Sequence, residues 1–258
     1  MSRAKSQAAP SRHRTAAQRP RVKGTSVSEA YDRLRSDILD LTLAPGSLLD
    51  EREQVTRLHL SRTPIHEAFV RLAAEGLIVM QPNRQAHVAP LDIRDLPLYV
   101  EAIDLAHRTV VHLAACRRTD EDLAAMQAAA EAFERATRER DPLALTEANR
   151  HFHATVAAAS HNQYLFSHYD RLLTLGLRIL RSHHLYRTTG LDELQRQASE
   201  HYDLIAAITA QDTARAERLA HLHTKTFVDH YVHSLQQSLT RDIGVKLYPT
   251  EPSGRSPA

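Results

Sequence analysis

A proline close behind a serine cap, and a glycine twelve residues after that proline, bound one helix more tightly than any other stretch of this chain of 258 residues. The stretch is SRTPIHEAFVRLAAEG, Ser61 to Gly76. Either Ser61 or Thr63 suits the N-cap, and Pro64 is tolerated in a first turn because the N–H it lacks has no intrahelical partner there. Ile65, Ala68, Phe69, Leu72 and Ala73 recur at three- and four-residue spacings and give one apolar face. Gly76 fits the position just past a helix, where left-handed backbone is needed. Upstream, Asp50 is placed to cap a helix over 51–58, with Glu53 three residues on to complete a capping box, and His59-Leu60 make a tight turn. Downstream, LIVM (77–80) and AHVA (86–89) flank the polar, basic tip QPNRQ and predict a hairpin. Two short helices joined by a tight turn and followed by a hairpin make a winged helix-turn-helix.

What lies off the buried face points to nucleic acid. Arg62, Thr63 and His66 crowd the first turn of the second helix, the end that a recognition helix directs at base edges. Arg52 opens the preceding helix and Arg84 sits at the hairpin tip. These five are the candidate DNA-binding residues. Periodicity alone leaves open a small α/β domain whose arginines merely face water. At the same residues the chain resembles the GntR family of bacterial transcription regulators. The matching pieces are LAPGSLLDERE (43–53), SRTPIHEA (61–68) and AAEGLIVMQPNRQAHVAPL (73–91). They follow the family's P-G turn, its S-R-T-P-x-R-E-A-L helix and its E-G-L entry to the wing. The resemblance implies that Arg52, Arg62 and Thr63 touch DNA. His66 stands where the family usually has arginine, and Gln85 where the wing often has glycine; both departures bear on the operator sequence.

The net charge of +2 hides an asymmetry. No acid precedes Glu29, yet seven cations do (Arg3, Lys5, Arg12, Arg14, Arg19, Arg21, Lys23), so the rest of the chain carries +2 − 7 = −5. A basic, Ala/Arg/Pro/Ser-rich arm over 1–25 is expected to be disordered and to add phosphate affinity, or else to be a passive tail. The single Cys116 excludes an intramolecular disulfide and a cysteine-based zinc site, and no apolar run is long enough for a membrane span, so a cytoplasmic protein without a membrane partner is expected.

Past the wing the chain reads as helix after helix. The first domain, 26–90, opens with a helix capped by Ser26 or Ser28 and running to about Leu41. The second, 91–239, holds six helices near 98–117, 119–138, 141–159, 164–182, 191–210 and 212–239, joined by short loops. That is an all-helical bundle in a mainly α protein. A tail, 240–258, follows. The bundle, from about Leu91 to Gln237, resembles the FCD-type ligand-binding domain of the FadR subgroup of GntR regulators, on its helix order, on N-R-H-F-H (149–153) and on the placement of His201 and His223.

Of 17 histidines, three fall on inward stripes: His201 lies between Leu194 and Ile205, His223 between Leu219 and Phe227, and His153 is four residues after Asn149. Three imidazoles with an oxygen donor suit a divalent metal, and burial keeps the ring in its neutral, ligating form. A hydrogen-bonded core histidine is the plainer alternative for each. The FCD resemblance implies that Asn149, His153, His201 and His223 hold the metal, Zn, with Ni or Mn as alternatives; Asn149 stands where aspartate is common. On the first bundle helix many relatives carry arginine and, four residues later, glutamate, where this chain has Ile103 and His107. His107, Arg108 and Arg178 are therefore the candidate effector-binding residues, with Arg171 a further choice.

Together these features predict a homodimeric, cytoplasmic transcription regulator, a repressor, on a palindromic double-stranded DNA operator. A small organic acid bound in the metal-containing bundle would control it. The alternative is a metal-dependent hydrolase or oxygenase built on the bundle, disfavoured because Glu200 and Asp203, the acids nearest the histidines, are expected to point away.

Overall fold

A computed structural model describes residues 23–80, 85–182 and 185–242. The N-terminal unit begins with α1 (Lys23–Leu39), which packs on α3 (Arg62–Ala74) across Ala30, Leu34, Ile38, Ile65, Phe69 and Leu72, all fully buried. Between them α2 (Glu51–Leu58) is capped by Asp50, whose carboxylate accepts from the backbone N–H groups of Arg52 and Glu53. His59 adopts left-handed backbone (φ 53°) and turns the chain into α3. Ser61 is the N-cap of α3, though its hydroxyl makes no cap bond, and Pro64 is buried in the first turn. The end of α3 is a Schellman motif: the N–H of Gly76 (φ 77°) bonds Ala73 O and that of Leu77 bonds Leu72 O.

Three short strands complete this unit, β1 (Leu48–Leu49), β2 (Ile78–Val79) and β3 (Ala86–Val88), antiparallel in the order β1-β3-β2. The hairpin tip, including Arg84, lies outside the described residues, as do most of the basic arm and the end of the tail. Several local expectations are corrected. Neither Ser26 nor Ser28 caps α1, which begins at Lys23, so the last three residues of the 1–25 arm are helical; extending an existing helix costs far less than nucleating one. The helix stops at Leu39 rather than Leu41, which has left-handed backbone (φ 61°). At α2 only the Asp50 side of the capping box is formed; the complete box is at Thr119 and Asp122.

After a 3-10 turn over Ile93–Asp95, the second unit contains α4 (Leu96–Arg117), α5 (Asp120–Glu139), α6 (Pro142–Ala158), α7 (Gln163–Ser182), a four-residue α8 (Leu185–Thr188), α9 (Leu191–Thr209) and α10 (Thr213–Asp242). Six of these are the six expected helices. Asp141 caps α6 ahead of Pro142, and His161 (φ 48°) makes the break before α7. α4 packs between α10 and α7, and α6 between α5 and α7, around a core that includes Val110, Ala114, Phe152, Val156, Tyr169 and Ile208. α7 belongs to both units. Leu177 is buried in the N-terminal core, Arg178 donates to Ala89 O, and the buried Arg181 bonds Leu39 O (3.1 Å) and Asp40 (2.7 Å) on one side and Thr146 (3.1 Å) and Glu147 (2.8 Å) on the other.

Candidate nucleic-acid interface and buried histidine cluster

The apolar face of α3 is spent on α1, so its first turn is left in water: Arg62, Thr63 and His66 are all exposed. Arg62 and His66 are not independent. Glu51, at the start of α2, accepts from Arg62 Nε (3.3 Å) and meets His66 Nδ1 at 2.7 Å. These contacts, the His66 bond first, hold the Glu51 carboxyl below its ordinary range against the opposing effect of partial burial. One acid thus fans two donors across the exposed end of the helix. Arg52 is exposed one residue further along α2, and Gln85 at the base of the wing donates to Asp50 (3.5 Å). Glu51 lies eleven and fifteen residues from its partners, a separation that sequence periodicity does not connect.

Three helices bring imidazoles together in the bundle. His153 on α6, His201 on α9 and His223 on α10 each offer a ring nitrogen, and these atoms lie within 4.8 Å of one another. Their ring centres are 5.0–5.3 Å apart, and His153 Nε2 is 3.2 Å from His223 Nε2. Glu200 accepts from His223 Nδ1 (2.7 Å), which leaves the His223 Nε2 lone pair facing His153. Either a proton sits between the two Nε2 atoms or a cation takes both lone pairs. His201 stacks on Phe152 (3.9 Å), and among the described residues neither of its nitrogens, nor His153 Nδ1, has a hydrogen-bond partner. Burial first, and then the neighbouring imidazoles, holds His153 and His201 well below the usual histidine range, so both rings are neutral near pH 7. The donor set fits a divalent cation: nitrogens on zinc at 2.0–2.1 Å stand about 3.4 Å apart in a tetrahedron.

A cavity of about 70 Å³ opens beside the cluster, and Asn149, Arg150, His107, Tyr169 and Glu200 line it together with His153 and His223. Asn149 thus lines the cavity that opens beside these rings. The other expectations divide. His107 is buried at the cavity, whereas Arg108 lies on the outer side of α4 near Asp104 (3.8 Å) and Glu217 (3.7 Å). Arg178 is committed to Ala89 O, and Arg171 lines a surface groove beside α1; neither lines this cavity. The cavity arginine is instead Arg150, bonded to Asp170, with its Nε buried and without a partner among the described residues. Glu200 does not point away: successive helical residues are about 100° apart, so the long side chain next to an inward His201 reaches back to His223. His221 does stay outside, exposed and 3.0 Å from Asp104.

Comparison with known proteins joins the two halves. The family model described as "Bacterial regulatory proteins, gntR family" matches residues 26–88, and that described as "FCD domain" matches residues 107–226. The chain joins a GntR-family DNA-binding domain to an FCD domain. Over 60 residues it is 43% identical to the HTH-type transcriptional repressor RspR of Escherichia coli (strain K12), a match covering 23% of this chain and 26% of that protein. This chain therefore spans about a quarter of the length of that relative. It is 29% identical over 205 residues to the HTH-type transcriptional repressor GlaR of the same organism, covering 77% of this chain and 92% of GlaR. The fold is shared with E. coli McbR/YncC at a TM-score of 0.69 and 22% identity, over 83% of this chain and 98% of that one. The GntR match takes in the exposed turn of α3, and the FCD match contains His107, His153, His201 and His223. Among the described residues no helix is long and apolar enough to cross a membrane.

Proposed function

We propose that this chain is a DNA-binding transcription regulator of the FadR subgroup, a homodimeric repressor whose hold on a palindromic operator is set by a small organic acid in the bundle. The exposed first turn of α3, on a GntR-type winged helix, carries the DNA part of this proposal. Two-fold proteins of this kind read two half-sites one helical turn apart. That the relatives RspR and GlaR are transcriptional repressors supports the repressor sense.

In the bundle, Asn149, His153, His201 and His223 would hold a divalent cation, zinc by preference and nickel or manganese as alternatives. The cation supplies a fixed positive charge that attracts a carboxylate. Arg150, at the same cavity, takes the role of acid anchor that Arg108 and Arg178 are not placed to play. An effector switches a regulator only by binding one arrangement more tightly than another. Here α7 is the physical link: Leu177 lines the cavity and is packed in the N-terminal core, and Arg181 one turn on ties α6 to the end of α1. Against the hydrolase alternative, Glu200, the described acid that meets the cluster, is engaged by His223 and by Arg196 rather than free to act as a base.

Arg62→Ala tests the DNA assignment. A bidentate arginine-to-guanine contact discriminates by ~1–3 kcal/mol, so the variant loses specific binding in fluorescence anisotropy while keeping the wild-type melting temperature. Unchanged binding across a panel of duplexes overturns the assignment. For the cation, a chelator lowers the melting temperature of the wild type, and His201→Ala lowers it without chelator; no bound divalent metal after reloading overturns that part.

A further inference from the structure

A fourth imidazole reaches the cluster from a helix to which no ligand has been assigned. His107, on α4, is 2% exposed, and its ring lies edge-on to His153 with centres 5.0 Å apart. Its orientation is fixed twice. The ring stacks on Tyr169 (5.7 Å, interplanar angle 11°), and its Nδ1 is 3.3 Å from Thr224 Oγ1. The Thr224 hydroxyl already gives its proton to Ala220 O (3.1 Å), so toward His107 it acts as an acceptor and Nδ1 carries the hydrogen. The Nε2 atom therefore holds a lone pair, and it is buried without a partner among the described residues. Such a fixed tautomer, with one nitrogen tied back and the other bare, is how a ligating histidine is prepared.

We propose that His107 Nε2 is a further ligand of the bundle cation, and that the site is a four-imidazole centre drawn from α4, α6, α9 and α10. The proposal rests on the cation reading above. Imidazoles on one tetrahedral zinc have ring centres about 5 Å apart. The His107–His153 distance already meets that spacing; the His107–His223 distance of 6.1 Å needs a closure of about 1 Å, and His107 must also close toward His201, because only His153, His201 and His223 already have ligand atoms within 4.8 Å of one another. His107 thereby offsets the neutral amide of Asn149, which is a weaker ligand than a carboxylate. It also sets the class of metal: four neutral nitrogens suit zinc, nickel and cobalt, and disfavour manganese, magnesium and calcium, which prefer oxygen.

The test uses the full chain, stripped with chelator and titrated with Co(II), whose visible spectrum reports ligand number and type. His107→Phe keeps the ring stacks and removes the ligand; its Co(II) affinity falls at least tenfold, more than that of Asn149→Ala, and its visible bands change. His107→Cys replaces nitrogen by sulfur and acquires a sulfur-to-cobalt charge-transfer band in the near ultraviolet that the wild type, whose Cys116 is exposed, does not show. Wild-type affinity and spectrum in His107→Phe, or no such band in His107→Cys, overturns the role of His107 and leaves the three-histidine site standing. Failure of the wild type itself to bind Co(II) or zinc overturns both.

Discussion

Acid should destabilise the chelator-treated protein through its buried imidazoles. Burial first, and then neighbouring histidines, depresses His153 and His201 well below the usual range, and burial pushes His107 down to about 3. In the unfolded chain each returns to about 6.5. A depressed histidine contributes its stability in full above the unfolded value and loses it as pH falls below that value, because only the unfolded state then takes up the proton. Between pH 7.5 and 5.5 each group loses roughly 1.4 kcal/mol, and three lose roughly 4 kcal/mol, against about 5–15 kcal/mol for a whole domain. Carboxylates titrate mostly below this window. The assay is urea unfolding followed by circular dichroism at pH 7.5, 6.5 and 5.5 with chelator present. His201→Phe, which fills the same stack on Phe152, isolates one group and should remove about a third of the slope. A wild-type stability that stays flat across the window, or a slope that His201→Phe leaves unchanged, refutes the neutral buried cluster.

Further outcomes follow from single residues. Arg181→Met removes bonds to Leu39 O, Asp40, Thr146 and Glu147; because Asp40 and Glu147 are half-exposed and can rehydrate, the loss is about 2–3 kcal/mol. It should also speed proteolysis of the 89–96 connector, and wild-type cleavage would argue against Arg181 as the tie between the units. Asp50→Ala removes the cap of α2 and costs about 1 kcal/mol in urea unfolding. A lowered DNA affinity should accompany it, because Arg52 is in the turn that Asp50 fixes; full affinity would separate cap from contact.

Where local chemistry decides, the sequence was legible. Asp50 opens its helix and Gly76 closes one where cap and left-handed preferences put them, His59 makes the turn between α2 and α3, and Ile65, Phe69 and Leu72 are buried as their spacing requires. His153, His201 and His223 were readable because each occupies an inward stripe on its own helix. What was illegible depends on side chains that reach sideways or on pairings distant in the chain. β1 is two residues long and carries no period; it exists because β3 offers it an edge. Glu51 and Glu200 flank the residues that attract attention, and only the packing of α2 on α3 and of α9 on α10 gives them partners. Arg150 adjoins Asn149 inside the N-R-H-F-H stretch, yet a position one residue from an inward side chain is ordinarily assigned to the surface.

DNA reading by α3 is the centre of the proposed function, and selection from a random duplex pool by the full chain tests it most directly. The wild type should enrich one two-fold symmetric sequence whose half-sites are centred about one helical turn apart, and Arg62→Ala should enrich none. A wild-type pool that stays random, or an Arg62→Ala pool that converges on the same sequence, would contradict it.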